Sequence, residues 1–140
     1  MPPQVRYYTL DEANAKVQGL EAQFKEVDMH LQAGMPMKEQ AADLETVWGD
    51  KLQDADCPGR DEFLRYKKAV DEHEAAIRKV VAAVHGEGIE IKDIAAGLVD
   101  FYAKRGNEVV FLCWKKGERE VGFWHTLQGG FAGRKPMKDF

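Results

Sequence analysis

Asp93, Asp100, Cys113, Glu118 and His125 are the side chains of this sequence whose types could hold a metal ion. Thiolate, imidazole and carboxylate together suit zinc or another divalent ion, and three protein donors leave a fourth position for water. Cys113, Glu118 and His125 are the narrower candidate set. A hairpin closing around Gly117 would put Cys113 and His125 on like faces of neighbouring strands. The spacing adds no motif: there is no Cys-x-x-Cys, no His-x-x-x-His and no His-Glu-x-x-His. A purely structural account also fits, with Cys113 a small core residue and His125 hydrogen-bonded. Asp100 and Glu118 would then satisfy turn amides or pair with arginine. Cys113 with His125 as base could also act as a nucleophile on residue types alone. A catalytic thiolate needs a partly exposed, electropositive place, whereas Leu112 and Trp114 flank Cys113 and imply burial.

A second chemistry is ligand recognition. Trp114, Trp124, Phe131 and Arg134 could line a pocket for an anionic aromatic or nucleotide-like ligand, or for a partner's carboxylate. Asp93 and Asp100 complete this candidate ligand-binding set. The run Gly129-Gly130-Phe131-Ala132-Gly133-Arg134 lacks the Lys-Ser/Thr and the strand–loop–helix setting of a P-loop. It reads more simply as a tight turn that returns Phe131 to the core, with Arg134 paired to Asp93 or Asp100.

The elements that must position these residues follow from periodicity. Val5 to Tyr8 are a short apolar run that extends along another element. Thr9-Leu10-Asp11-Glu12 fits a capping box. Leu10, Ala13, Val17, Leu20, Phe24, Val27 and Leu31 then recur at alternating spacings of 3 and 4. Gly34 and Pro36 predict the end of this first helix. A second helix is expected over Lys38 to Gln53, and Pro58-Gly59 breaks the chain again. Phe63, Tyr66, Val70, His73, Ile77, Val80 and Val84 repeat the same seam in a third helix that stops at Gly86. Seams of matched length fit an antiparallel intramolecular hairpin, and also a dimerising coiled coil. His73 within its seam reads as a packed polar residue, and His30 and His85 as residues near helix ends.

After Gly86 the period changes to that of strands. Ile89–Asp93, Leu98–Tyr102, Val109–Trp114 and Val121–Thr126 are separated by glycine-bearing turns. The expected fold class is α+β: a long antiparallel helical hairpin with an extra helix, packed on a small antiparallel meander of three to four strands. One domain is expected over 1–140, helical over 9–86 and β over 88–140. Val109, Phe111 and Cys113 alternate with Val110, Leu112 and Trp114, so both sheet faces are apolar. Such a sheet needs its second face covered by the tail Leu127 to Phe140 or by a partner subunit, or offers it as a binding surface.

Specific residues also carry a family resemblance. Tyr8-Thr9-Leu10-Asp11-Glu12-Ala13-Asn14, Lys92-Asp93, Gly97-Leu98-Val99-Asp100-Phe101, Leu112-Cys113-Trp114, Gly117-Glu118, Trp124-His125, Gly130-Phe131, Gly133-Arg134 and Pro136 resemble the bacterial domain-of-unknown-function family numbered 2203. The resemblance spans nearly the whole chain, except for Met35 to Arg60, and implies no activity. Tyr102 departs from it, since the family pattern usually has proline there, which puts the strand boundary at Tyr102 in question.

Composition excludes more than it assigns. At 140 residues with 44% hydrophobic and 31% charged residues, the chain has the balance of one soluble globular domain. Its net charge of −4 argues against a nucleic-acid partner and a polybasic membrane patch. No apolar run reaches membrane-span length, and MPPQVRYYTL has no signal-like apolar core. Cys57 and Cys113, the only cysteines, sit in unlike contexts and read as free cytoplasmic thiols. The expectation is a cytoplasmic, non-enzymatic binding or assembly protein, a homo-oligomer and most simply a dimer, with no required cofactor. The alternative is a small metal-dependent or cysteine-dependent enzyme with its site on the C-terminal sheet.

Overall fold

The computed structural model describes residues 5–140; Met1 to Gln4, the start of the segment read above for a signal, lie outside the described residues. The chain runs α1 (Leu10–Trp48), a 3-10 turn (Gly49–Gln53), α2 (Arg60–Gly86), then β1 (Ile89–Asp93), β2 (Leu98–Arg105), β3 (Glu108–Lys115), β4 (Phe123–Thr126) and β5 (Lys135–Pro136). The α+β class and the helical hairpin hold. The capping box forms as expected: the Glu12 amide donates to Thr9 Oγ1 at 3.1 Å and the Thr9 amide to Glu12 Oε1 at 2.9 Å. Among the described residues no helix is long and apolar enough to cross a membrane.

The break expected at Gly34 and Pro36 does not occur. α1 continues through Pro36 to Trp48, so the separate helix over Lys38 to Gln53 is a continuation of the first. A mid-helix proline removes one backbone bond and crowds the carbonyl four residues back, at a cost of about 3 kcal/mol. That carbonyl belongs to Gln32, and both Gln32 and Pro36 are exposed, so water can satisfy the freed group. Packing on both sides of the proline outweighs the local signal.

The chain forms two compact units, Glu26–Lys79 and a second made of the residues up to Lys25 with Val80–Phe140. In the first, α1 and α2 run antiparallel and bury Val27, Ala41 and Val70, with Leu52 closing the tip. Arg60 donates to the Leu52 carbonyl. Trp48 packs against Gly59, where a Cβ would fall 2.3 Å from Trp48 Nε1, so any larger residue would push the indole away.

The second unit holds the sheet, an antiparallel meander in the order β1-β2-β3-β4-β5. β5 adds a two-residue strand beyond the expected three or four. β2 runs unbroken through Tyr102, which settles the boundary left in question by the proline departure. The Tyr8 amide donates to the Tyr102 carbonyl at 2.8 Å, so the segment before α1 does run alongside the sheet edge. Register sorts the side chains. Ile89, Val99, Phe101, Val110, Leu112, Trp114 and Trp124 share the inner face with Tyr8 and Phe24, which meet Phe101 and Trp114 at ring distances of 5.0 and 6.3 Å. Asn14 Oδ1 accepts from the Val121 amide at 2.7 Å and fixes the start of α1 to the chain entering β4. Glu90, Asp100, Tyr102, Phe111, Cys113, Phe123 and His125 share the outer face, and residues 127–134 fold over part of it.

Candidate functional site

The site is built on the outer face from one residue each of β2, β3 and β4. The eight-residue register of β2 on β3 sets Asp100 opposite Cys113. The register of β3 on β4 sets Cys113 opposite Phe123, which brings His125 diagonally onto the same face. One donor atom each of Asp100, Cys113 and His125 lies within 4.8 Å of the other two. All three residues are buried, Asp100 and His125 at 2% exposure.

Hydrogen bonds define the protonation of this cluster. His125 Nδ1 lies 2.7 Å from the Thr126 carbonyl oxygen and Nε2 lies 3.0 Å from Asp100 Oδ1. A carbonyl can only accept, so Nδ1 carries a hydrogen. The Nε2–Oδ1 contact then holds a single proton, on the imidazole or on the carboxyl, and the pair is neutral in either arrangement. Burial raises the carboxyl of Asp100 above its ordinary value, against the opposing pull of His125 and Lys92. Burial, and then the Asp100 carboxylate, push the Cys113 thiol up to about 12. Cys113 therefore carries its proton near neutral pH.

That geometry does not build a nucleophile. Both ring nitrogens of His125 are already engaged, Nδ1 by the Thr126 carbonyl and Nε2 by Asp100, so neither is free to take the Cys113 proton as a base would. Arg134 Nη1, 3.7 Å from Cys113 Sγ, supplies positive charge without overcoming the burial.

The remaining candidates fall elsewhere. Glu118, expected with Cys113 and His125, instead grips Arg134 through two contacts of 3.2 and 2.5 Å. Its place among the metal donors is taken by Asp100. Glu118 also caps its own turn, accepting from the Lys115 amide at 2.8 Å. Arg134, expected on Asp93 or Asp100, therefore pairs with Glu118, and its guanidinium sits 3.9 Å from the ring centre of Phe123 and 4.4 Å from that of Phe131. Asp93 accepts from the Ala96 amide at 2.9 Å in the exposed β1–β2 turn and takes no part in the site. Trp114 and Trp124 do not line a pocket with Phe131 and Arg134. They point to the inner face at 0% and 3% exposure, because each sits one register position away from the outer set. Trp114 Nε1 donates to the Glu118 carbonyl at 3.0 Å, whereas Trp124 Nε1 is buried without a partner among the described residues. Phe131, 43% exposed, walls the outer cavity rather than returning to the core.

Above the cluster lies an open cavity of about 230 Å³. Lys92, Leu98, Phe111, Leu127 and Phe131 form its walls, with Asp100, Cys113 and His125 at its floor. Sequence reading missed Lys92, Leu98 and Phe111. The alternation of β1 does place Lys92 on the outer face with Glu90, and that was the available signal. Lys92 Nζ contacts Glu90 at 2.5 Å and rides 4.7 Å from the centre of the Phe111 ring. In the hairpin unit His30, now inside a continuous helix, meets His73 with Nδ1 atoms 2.8 Å apart, beside a mostly apolar cavity. Glu26 Oε1 lies 3.7 Å from His30 Nε2, but the three do not converge as a donor set; among the described residues Asp100, Cys113 and His125 are the set that could hold an ion.

No curated protein and no solved structure matches the chain. A family model does match, over residues 6–137. The match takes in every side chain of the cluster and the cavity above it, and the chain belongs to the family described as "Uncharacterized conserved protein (DUF2203)".

Proposed function

We propose that the chain is a non-enzymatic binding protein whose ligand is a divalent transition-metal ion, zinc first, held by Asp100, Cys113 and His125. One observation carries this reading: three donors of the types zinc prefers converge within 4.8 Å at the buried floor of an open cavity. A tetrahedral ion with bonds of about 2.0–2.3 Å spaces neighbouring donors roughly 3.3–3.6 Å apart. The His125–Asp100 contact of 3.0 Å needs to open only slightly to admit it. The Nδ1–H bond to the Thr126 carbonyl is the outer contact that orients a metal-bound imidazole.

Charge supports the same reading. The metal-free cluster is neutral, with one proton on the Asp100–His125 contact and one on the thiol. A divalent ion that displaces both protons leaves a carboxylate, a thiolate and a neutral imidazole around two positive charges, again neutral. The exchange therefore adds no net charge to a buried site. A zinc titration against a chromophoric chelator in weak buffer tests this, with about one ion bound and two protons released per chain. Cys113→Ser and Asp100→Asn should each weaken binding at least roughly tenfold. A chain that takes up no zinc at micromolar concentration contradicts the reading.

A cytoplasmic setting fits a thiol ligand that must stay reduced, and Cys57 and Cys113 are unpaired. Homodimerisation belongs to the same reading, since Met29, Met35, Val47 and Leu64 are large apolar side chains exposed on the hairpin unit. Light scattering checks it, and a monomeric mass contradicts it. The enzyme alternative survives in its metal-dependent form, because an open fourth position is where a catalytic ion holds water. Its cysteine-dependent form is disfavoured by the raised thiol.

A further inference from the structure

The walls of the outer-face cavity are mostly apolar: Leu98, Phe111, Leu127 and Phe131 form them with Gln128 and Gly130, and Lys92 brings an ammonium to the rim. Lys92 spends one contact on Glu90, and an ammonium has three hydrogens to donate. Its ammonium nitrogen itself lies 4.7 Å from the centre of the Phe111 ring, a wall of the cavity, so the charge stands at the cavity rim. Lys92 also ranks among the charges felt by Asp100 at the floor.

Three protein donors leave one tetrahedral position, and the strand backbones of β2, β3 and β4 close off the side beneath. The remaining position opens upward into the cavity. An ion bound as proposed above makes a neutral centre, so a fourth ligand with one negative charge leaves a single charge, which faces the ammonium that Lys92 shares with Glu90. A dianion would leave a second charge facing hydrocarbon. About 230 Å³ is below the roughly 300–1,000 Å³ of drug-sized sites, so the ligand is small.

We propose that the cavity takes a short monocarboxylic acid, its carboxylate on the fourth position of the ion and beside Lys92, its apolar end against Leu98, Phe111, Leu127 and Phe131. The proposal rests on the metal reading of the floor. It accounts for an apolar, lysine-rimmed cavity standing directly over three metal donors, which ion storage alone does not require.

The test uses the full chain loaded with cobalt(II), whose visible spectrum reports the fourth ligand. Acetate, butyrate and inorganic phosphate are titrated separately, with the ion content measured before and after. Each carries a defined expectation. Butyrate should shift the spectrum and bind about fifteenfold tighter than acetate, from roughly fourfold per buried methylene. Phosphate should bind no better than acetate. Lys92→Met, an exposed change that leaves the donors in place, should weaken both acids about tenfold while cobalt content stays the same. Cobalt bound with no spectral response to any acid overturns this proposal alone. Phosphate matching or exceeding butyrate overturns the choice of ligand class. A chain that binds no cobalt overturns both this proposal and the metal reading.

Discussion

Cys113 and Cys57 are the same residue type in opposite settings. Cys57 lies half-buried in the loop before α2; Cys113 is buried on β3, with its thiol pushed up to about 12. Alkylation requires thiolate. Iodoacetamide at pH 8 should therefore label Cys57 in the folded, metal-free chain and leave Cys113 untouched until denaturant is added. Peptide mass mapping reads this, and a Cys113 adduct on the folded chain would contradict the buried-thiol assignment. Trp124 offers a second residue-scale case. Its ring fills the inner face, but its Nε1 is buried without a partner. Trp124→Ala should cost about 3–5 kcal/mol by chemical denaturation. Trp124→Phe should cost much less, because it removes an unsatisfied donor while keeping most of the ring. Equal losses would mean the indole N–H is bonded after all. At this scale the sequence disclosed which side chains could bind metal, but not which would meet. The Cys113–His125 pairing was readable because it depends on one hairpin. Glu118 was misplaced because its partner, Arg134, arrives on the tail, and no local pattern reports the tail's path. Trp114 and Trp124 were misread because both faces of β3 are apolar, so alternation alone could not say which face is inner.

Local signals decided the helix ends and misjudged the helix middle. The Thr9–Glu12 box was legible because all its contacts lie within four residues. It lowers the Glu12 carboxyl below its ordinary value, chiefly through the Thr9 amide. Glu90 is lowered by Lys92 first and Tyr102 second. A carboxylate held down in the folded state adds stability above its unfolded pKa of about 4.3, and that stability is lost as pH falls through the folded value. The chain should thus lose stability on the acid side of about pH 4. Thr9→Ala should cost about 1 kcal/mol at pH 7, and the gap from the parent should narrow at pH 3; a gap that widens would contradict the capping geometry. Pro36 is the converse case. The proline and Gly34 are strong stop signals, yet α1 continues because side chains on both sides of them, Val27 and Ala41, are buried in the hairpin unit with Val70. Pro36→Ala restores the missing amide and removes the ring clash. It should stabilise the chain by up to about 3 kcal/mol; a loss of stability would mean the proline ring itself is needed for packing. β5 was invisible for a simpler reason: two residues carry no period.

The molecule as a whole separates two kinds of information. The order of elements, the α+β class and the meander follow from hydrophobic periods that any part of the chain displays by itself. The site does not, because it needs three strands in register at once and a tail laid over them. Asp100 reaches Cys113 only because β2 runs unbroken for eight residues against β3. The measurement that bears most directly on the account is elemental analysis of untagged protein after equilibration with zinc and removal of excess. About one zinc per chain is expected, falling below a tenth in Cys113→Ser and His125→Gln variants that keep the parent's circular dichroism. A parent chain free of metal, or variants that retain it in full, would contradict the assignment of Asp100, Cys113 and His125 as its ligands.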